Sequence, residues 1–160
     1  RKTGETLWRI KRNPAVCWAS PTVVPGNGAH PDFVIMQSRG SVSGVRVDNG
    51  EELWNIEGDV HTTSSPCYRN GVAYVPINGM TALKFDEEGN AEEIWNESGM
   101  RPSGASAVVD DNHIYIRSGN GVVSRHDAQT GEEDWKGARD TLGGSHPQVP
   151  WVRPAKPGAG

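Results

Sequence analysis

Gly4-Glu5-Thr6-Leu7-Trp8 returns as Gly50-Glu51-Glu52-Leu53-Trp54, as Ala91-Glu92-Glu93-Ile94-Trp95 and as Gly131-Glu132-Glu133-Asp134-Trp135. Successive tryptophans stand 46, 41 and 40 residues apart. The chain is therefore an internal repeat, with a period close to the ~40 to 45 residues of one four-stranded unit in a radial array. A second landmark keeps the same phase: Pro21 in Ser20-Pro21, Pro66 in Ser65-Pro66 and Pro147 in His146-Pro147 follow a Trp by 13, 12 and 12 residues.

Between the landmarks each unit holds two apolar runs. The first is Asp32–Met36, Val72–Val75 or His113–Ile116, and the second is Ser43–Asp48, Thr81–Asp86 or Val122–Asp127. Both are rich in the β-branched and aromatic residues that suit a pleated surface. Helical periodicity is missing, and 20 glycines with 11 prolines interrupt the chain too often for long helices. Each unit thus reads as a strand after the proline, two further strands, a turn, and a last strand ending in Trp.

The turn before that last strand has its own logic. In Asp127-Ala128-Gln129-Thr130-Gly131 the aspartate can accept backbone N–H groups, and Gly131 can take a positive φ. Asp48-Asn49-Gly50 reads as a tighter version. Asp86-Glu87-Glu88-Gly89-Asn90 is longer, so Gly89 and Asn90 are expected to absorb the left-handed conformation and leave Ala91 ordinary.

Asp127 through Trp135 resembles the tryptophan-docking motif of pyrroloquinoline-quinone-like (PQQ-like) β-propeller repeats. In that family Asp, Thr-Gly and Trp close each blade, and the indole packs between neighbours. The resemblance implies an all-β fold of four-stranded antiparallel propeller blades, with Trp8, Trp54, Trp95, Trp135, Gly4, Gly50, Gly131, Asp48, Asp86 and Asp127 as structural anchors. The family commonly has a small residue two positions before the aspartate; here Arg46, Lys84 and Arg125 fill that place. Residues two apart on a strand share a face, so each is expected to pair with its own aspartate.

Residues 1–10 read as the last strand of one blade, 11–58, 59–99 and 100–138 as three nearly whole blades, and 139–160 as the start of another followed by a flexible tail. Propellers ordinarily close with ~4 to 8 blades. The expectation is an incomplete propeller: an excerpt of a longer one, or one that associates through its open ends.

The formal charge is -4, and no apolar run approaches the ~18 residues of a membrane span. Basic residues form no cluster, which argues against a nucleic-acid partner. Glu51, Glu52, Glu92, Glu93, Glu132, Glu133 and Asp134 fall in the last strand of their units. In a blade that strand is the outer edge, where charge discourages pairing with other chains.

Cys17 and Cys67 sit at different phases of the repeat, so no symmetry brings them within disulfide reach, and two thiols are expected. Asp110-Asp111-Asn112 is an oxygen-rich triplet that could hold a hard cation, but it falls where a polar hairpin turn belongs. The five histidines show no close pair at metal-ligand spacing. His61 and His146, with Arg101 and Arg139, lie in links that enter a new blade and are the candidates for a ligand or partner surface near the axis. Ser20, Ser64 and Ser65 have no histidine and acid arranged beside them as in a hydrolase.

Three function classes follow. The favoured one is a non-catalytic scaffold that binds proteins or peptides, with no cofactor, as in the similar lipoprotein of the outer-membrane β-barrel assembly machinery. The second is a piece of a PQQ-dependent alcohol or sugar dehydrogenase, which would bring the quinone and calcium; the adjacent cysteines of its alcohol-oxidising members are absent, since Cys17 and Cys67 lie 50 apart. The third is a carbohydrate binder stacking sugars on Trp18 and Trp151. The resemblance implies a periplasmic, or more broadly extracytoplasmic, setting.

Overall fold

The computed structural model describes residues 3–12, 16–28, 30–119 and 121–137. Twelve strands form three four-stranded sheets among these residues, and none of these residues is helical. Sheet 1 contains β1 (Thr22–Val24), β2 (Phe33–Ser38), β3 (Ser41–Arg46) and β4 (Glu52–Glu57). Sheet 2 contains β5 (Cys67–Arg69), β6 (Val72–Val75), β7 (Met80–Phe85) and β8 (Ala91–Glu97), and sheet 3 contains β9 (Val108–Val109), β10 (His113–Arg117), β11 (Val123–Asp127) and β12 (Glu133–Gly137). In each sheet the strands lie side by side in chain order, all antiparallel. The first strands are neighbours, β1 beside β5 and β5 beside β9. That is the arrangement of propeller blades about an axis, with three blades among the described residues.

The seams between sheets are where the apolar side chains go. Phe33, Ile35 and Val42 of sheet 1 bury against Ala73, Val75 and Leu83 of sheet 2. Tyr74, Met80 and Ala82, on the other face of sheet 2, bury against Ile114 and Ile116 of sheet 3. Alternate residues of a strand point to opposite faces, so the inner strands of sheet 2 serve both seams. Each large side chain removed from water there stabilises by ~1.5 to 3 kcal/mol. No single sheet could bury both its faces alone.

Polar bonds at the axis repeat with the same stride. The hydroxyl of Ser65 accepts the backbone N–H of Ser20 at 2.8 Å, and Ser106 accepts that of Ser65 at 2.9 Å. Thr22 donates to the Pro66 carbonyl at 2.7 Å and Ser64 to the Ala105 carbonyl at 3.0 Å. The serine of the Ser-Pro landmark is thus a clip from one sheet to the next. Sheet 3 keeps the serine at Ser106 without the proline, which its sequence replaces by Ala107.

The tryptophans sit inside the last strands rather than at their ends. Trp54 faces Gly44, Trp95 faces Ala82 and Trp135 faces Arg125, and in all three sheets the register slips by one residue just after that pair. A bulge at the same point three times is a designed feature. From it each indole reaches forward onto the next hairpin. The ring of Trp95 lies 3.0 Å from where a Cβ on Gly131 would stand, and its Nε1 donates to the Ala128 carbonyl at 3.1 Å. Tyr74 donates to the same carbonyl at 3.2 Å. Trp8 lies against Gly50 in the same way and donates to the Val47 carbonyl at 2.8 Å, although residues 3–12 form no strand.

Two expectations about the hairpins change with this register. Gly50 N–H bonds to the Arg46 carbonyl and Gly131 N–H to the Asp127 carbonyl, so both turns have one length. Asp48 therefore stands where Gln129 does, and Arg46 where Asp127 does. Counting back from Trp, the small residues are present after all: Gly44 and Ala82 lie opposite the indoles, and a Cβ on Gly44 would overlap Trp54. Arg125 alone breaks that pattern.

The basic residues also differ from one another. Arg46 pairs with Asp48 at 2.7 Å as expected, but Lys84 pairs with Glu92 at 3.2 Å and Arg125 with Asp134 at 3.1 Å. Asp86 and Asp127 are instead filled by turn N–H groups, those of Glu88 and Asn90 in one case and of Gln129 and Thr130 in the other. Gly89 takes the left-handed conformation by itself at φ 86°, while Asn90 gives both its backbone and side-chain N–H to Asp86.

The longer hairpin of sheet 2 alters one docking site. Phe85 pairs with Ala91, so its ring lies in the path of the incoming indole. Trp54 stacks on Phe85 with centroids 6.0 Å apart and 17° between planes. Its buried Nε1 finds no acceptor among the described residues. Trp95→Phe is therefore expected to cost about 1 kcal/mol more in urea unfolding than Trp54→Phe, the net worth of one hydrogen bond. Equal losses would show that the Ala128 bond contributes nothing.

Candidate functional site

Antiparallel order places the links 58–66 and 98–107 at one end of the sheets, with the β2–β3, β6–β7 and β10–β11 turns. His61 and Arg101 lie at that end, and each is held by protein. His61 N–H donates to the Pro76 carbonyl at 2.9 Å, and its own carbonyl accepts from Gln37 Nε2 at 3.2 Å. Its ring Nε2 and Gln37 Oε1 are both buried without a partner among the described residues. Arg101 reaches back to Asp59 at 3.0 Å and to the Ser98 carbonyl at 3.0 Å, joining successive links. The structure thus pairs Arg101 with Asp59 and sets His61 beside Gln37. Arg139 and His146 lie outside the described residues.

Trp18 shares this end of the molecule. Its backbone N–H donates to the Thr62 carbonyl at 2.8 Å while the residue remains 73% exposed. Its proposed sugar-stacking companion Trp151 lies outside the described residues. Cys17 donates to the same Thr62 carbonyl at 3.5 Å, and both cysteines are free. Burial pushes the Cys67 thiol up to about 12, which leaves it protonated and unreactive.

The oxygen-rich triplet closes the β9–β10 turn at the opposite end. Asp110 accepts the N–H groups of Asn112 and His113, both at 2.8 Å, and the Tyr115 hydroxyl at 3.0 Å. Asp111 accepts from Arg69 at 2.6 Å and from Asn70 at 3.2 Å, tying sheet 3 to sheet 2. These bonds account for Asp110 as a turn cap and for Asp111 as a tie between sheets.

A cleft that the sequence did not point to lies between sheets 2 and 3. It encloses about 270 Å³ and is lined by Glu97, Arg101, Ser124, His126, Glu133 and Lys136 among others. Ser124 and His126 share one face of β11, Lys136 is paired across the ladder with Ser124, and Glu133 with His126. His126 Nε2 lies 2.8 Å from Ser124 Oγ, and Nδ1 lies 3.2 Å from the Gly131 carbonyl. The signal for it was an irregularity in the repeat: the residues at the place of His126 in the other sheets are Val45 and Leu83.

Backbone N–H groups of Asn112 and then His113 hold the Asp110 carboxyl at about 2, below the ~3.9 of an unfolded aspartate. A lowered folded value adds stability in full above the unfolded value and loses it as pH falls toward the folded one. Asp110→Asn is expected to lower the melting temperature at pH 7, with the gap to wild type closing between about pH 4 and pH 2. A gap that does not change with pH would show that the charge of Asp110 is not what matters.

Three comparisons bear on kinship. The family model described as outer membrane protein assembly factor BamB, a PQQ-like repeat model, matches residues 1–136. A search of the curated proteins finds no match. Among solved structures, BamB from Moraxella catarrhalis superposes with a TM-score of 0.60 at 16% identity, covering 84% of this chain and 43% of that one. Quinohemoprotein alcohol dehydrogenase from Comamonas testosteroni gives 0.54 at 19% identity, over 76% of this chain and 21% of that one. The quinohemoprotein alcohol dehydrogenase ADHIIG from Pseudomonas putida HK5 gives 0.57 at 17% identity, over 76% and 20%. The chain thus spans less than half the length of each of these structures, and at such identities the likeness speaks for the fold. With the family model matching across all three sheets, this chain belongs to the PQQ-like β-propeller repeat family that includes the BamB assembly factors.

Proposed function

We propose that this chain is part of a propeller scaffold, non-catalytic in its main role, that binds proteins or peptides at the end carrying the links 58–66 and 98–107. The observation that carries this reading is the family match to an outer membrane protein assembly factor over residues 1–136. The polar groups of the repeat support it, because they are committed to holding sheets together. Ser65, Ser106, Asp111 and Arg101 each bridge two sheets or links. Trp18, bonded through its backbone to Thr62 and open in its side chain, is the kind of residue that anchors a protein contact.

The setting that fits this role is the periplasm. No described helix is long and apolar enough to cross a membrane. Association through the open ends of the array would extend the same scaffold: Trp135 is 39% exposed on the face where Trp95 is covered by sheet 3. The dehydrogenase alternative would ask for oxygen ligands free to hold calcium beside a quinone. Asp110 caps a turn and Asp111 ties two sheets, and among the described residues no three His, Cys, Asp or Glu side chains are grouped so as to hold a metal ion.

A photo-crosslinking residue placed at Trp18 or at Arg101 of the full-length protein is expected to capture protein adducts in cells, and the same residue at Glu87, on the opposite end, is not. Breaking the exposed Arg101–Asp59 pair costs at most ~1 kcal/mol, so lost capture would not stem from unfolding. Adducts from all three sites alike, or from none, would contradict the proposed surface.

A further inference from the structure

We propose that Ser124 is an activated nucleophile, able to take the acyl group of a small carboxylic ester that enters the cleft between sheets 2 and 3. This goes beyond the scaffold reading and does not depend on it.

The repeat supplies the comparison within one molecule. Ser43, Thr81 and Ser124 occupy one position, so a hydroxyl there is a property of the blade. What surrounds it differs. Two residues on, Val45 and Leu83 are buried apolar residues that complete their sheets, whereas His126 is 5% exposed and polar. Across the ladder, Asn55 and Asn96 give way to Lys136. The Asn96 amide and the Ile77 carbonyl occupy the Thr81 hydroxyl, at 2.8 and 2.9 Å. Only in sheet 3 does the hydroxyl meet an imidazole. Burying a polar ring where an aliphatic one packs lowers stability unless its nitrogens are satisfied, and here each nitrogen has one defined partner.

Those partners fix the chemistry of the neutral ring. A carbonyl oxygen can only accept, so Nδ1 carries the proton toward Gly131 O at 3.2 Å. Nε2 then offers its lone pair, and Ser124 O–H donates to it at 2.8 Å. Nucleophile, base and an acceptor that orients the base stand in the order that activates a serine. Ser124 and His126 both line the cleft, whose volume of about 270 Å³ suits a short acyl group rather than a long one. Lys136 stands opposite Ser124 across the ladder and lines the same cleft, with its ammonium 3.4 Å from Glu133; to meet the oxygen that becomes anionic it exchanges that carboxylate for the substrate.

The step balances within these groups and the ester. Ser124 Oγ bonds to the carbonyl carbon as its proton moves to His126 Nε2. The C–O bond to the alcohol then breaks, the alcohol takes that proton, and an acyl-serine remains. Water repeats the sequence in reverse and releases the acid.

Diisopropyl fluorophosphate tests the first half of this chemistry, because attack on phosphorus expels fluoride and leaves a stable adduct. With the full chain, peptide mass mapping is expected to find Ser124 modified at least tenfold faster than the exposed Ser98. His126→Leu, which copies the residue sheet 2 carries, should bring Ser124 down to the Ser98 rate. Equal labelling of Ser98 and Ser124 in the wild type overturns the proposal, and it needs no variant to fold. An unchanged Ser124 rate in a folded His126→Leu protein, or in His126→Gln, overturns it as well.

Discussion

Everything in this structure depends on an indole from one sheet resting on the hairpin of the next. A four-stranded sheet with two apolar faces cannot stand alone in water, and the seams that cover it must be held in register. Trp95 does this by three means together: its ring covers Gly131, its N–H bonds to the Ala128 carbonyl, and its plane packs beside Tyr74, which bonds to that same carbonyl. Gly131 is required twice over. Its φ of 78° suits glycine, and a Cβ there would stand 3.0 Å from the ring, so the indole would have to give way by a few tenths of an ångström.

That dependence explains which substitutions the repeat tolerates. Loop length is free as long as some flat surface meets the incoming indole. In the hairpin of sheet 2 the surface is the Phe85 ring instead of a glycine and a carbonyl, and Trp54 settles there with no acceptor for its N–H among the described residues. Beneath the ring only a small residue fits, hence Gly44 and Ala82. Where Arg125 stands in that place, Trp135 is partly exposed and the guanidinium turns to Asp134.

Much of the fold was legible because its period is written in residues that cannot vary freely. Tryptophan spacing and the alternating apolar runs led to three antiparallel sheets, since each signal reports a local physical demand. The hairpin alignment was not legible. An aspartate followed by glycine looks alike in Asp48-Asn49-Gly50 and in Asp127 to Gly131, and only the ladder bonds reveal that Arg46 and Asp127 are equivalent. Site residues were harder still. His61 and Arg101 were placed by position, and they prove to be tied to Gln37, Pro76 and Asp59. His126 was visible in the sequence, but its meaning required knowing that Val45 and Leu83 share its position.

The coupling between Trp95 and Gly131 tests the central claim most directly, through a double-mutant cycle read by urea unfolding. Gly131→Ala should cost more with Trp95 present than in the Trp95→Ala background, by roughly 0.5 to 3 kcal/mol, because the added methyl meets the ring only in the first case. Additivity within about 0.3 to 0.5 kcal/mol would mean that indole and hairpin do not bear on each other, and the account of how these sheets are joined would be wrong.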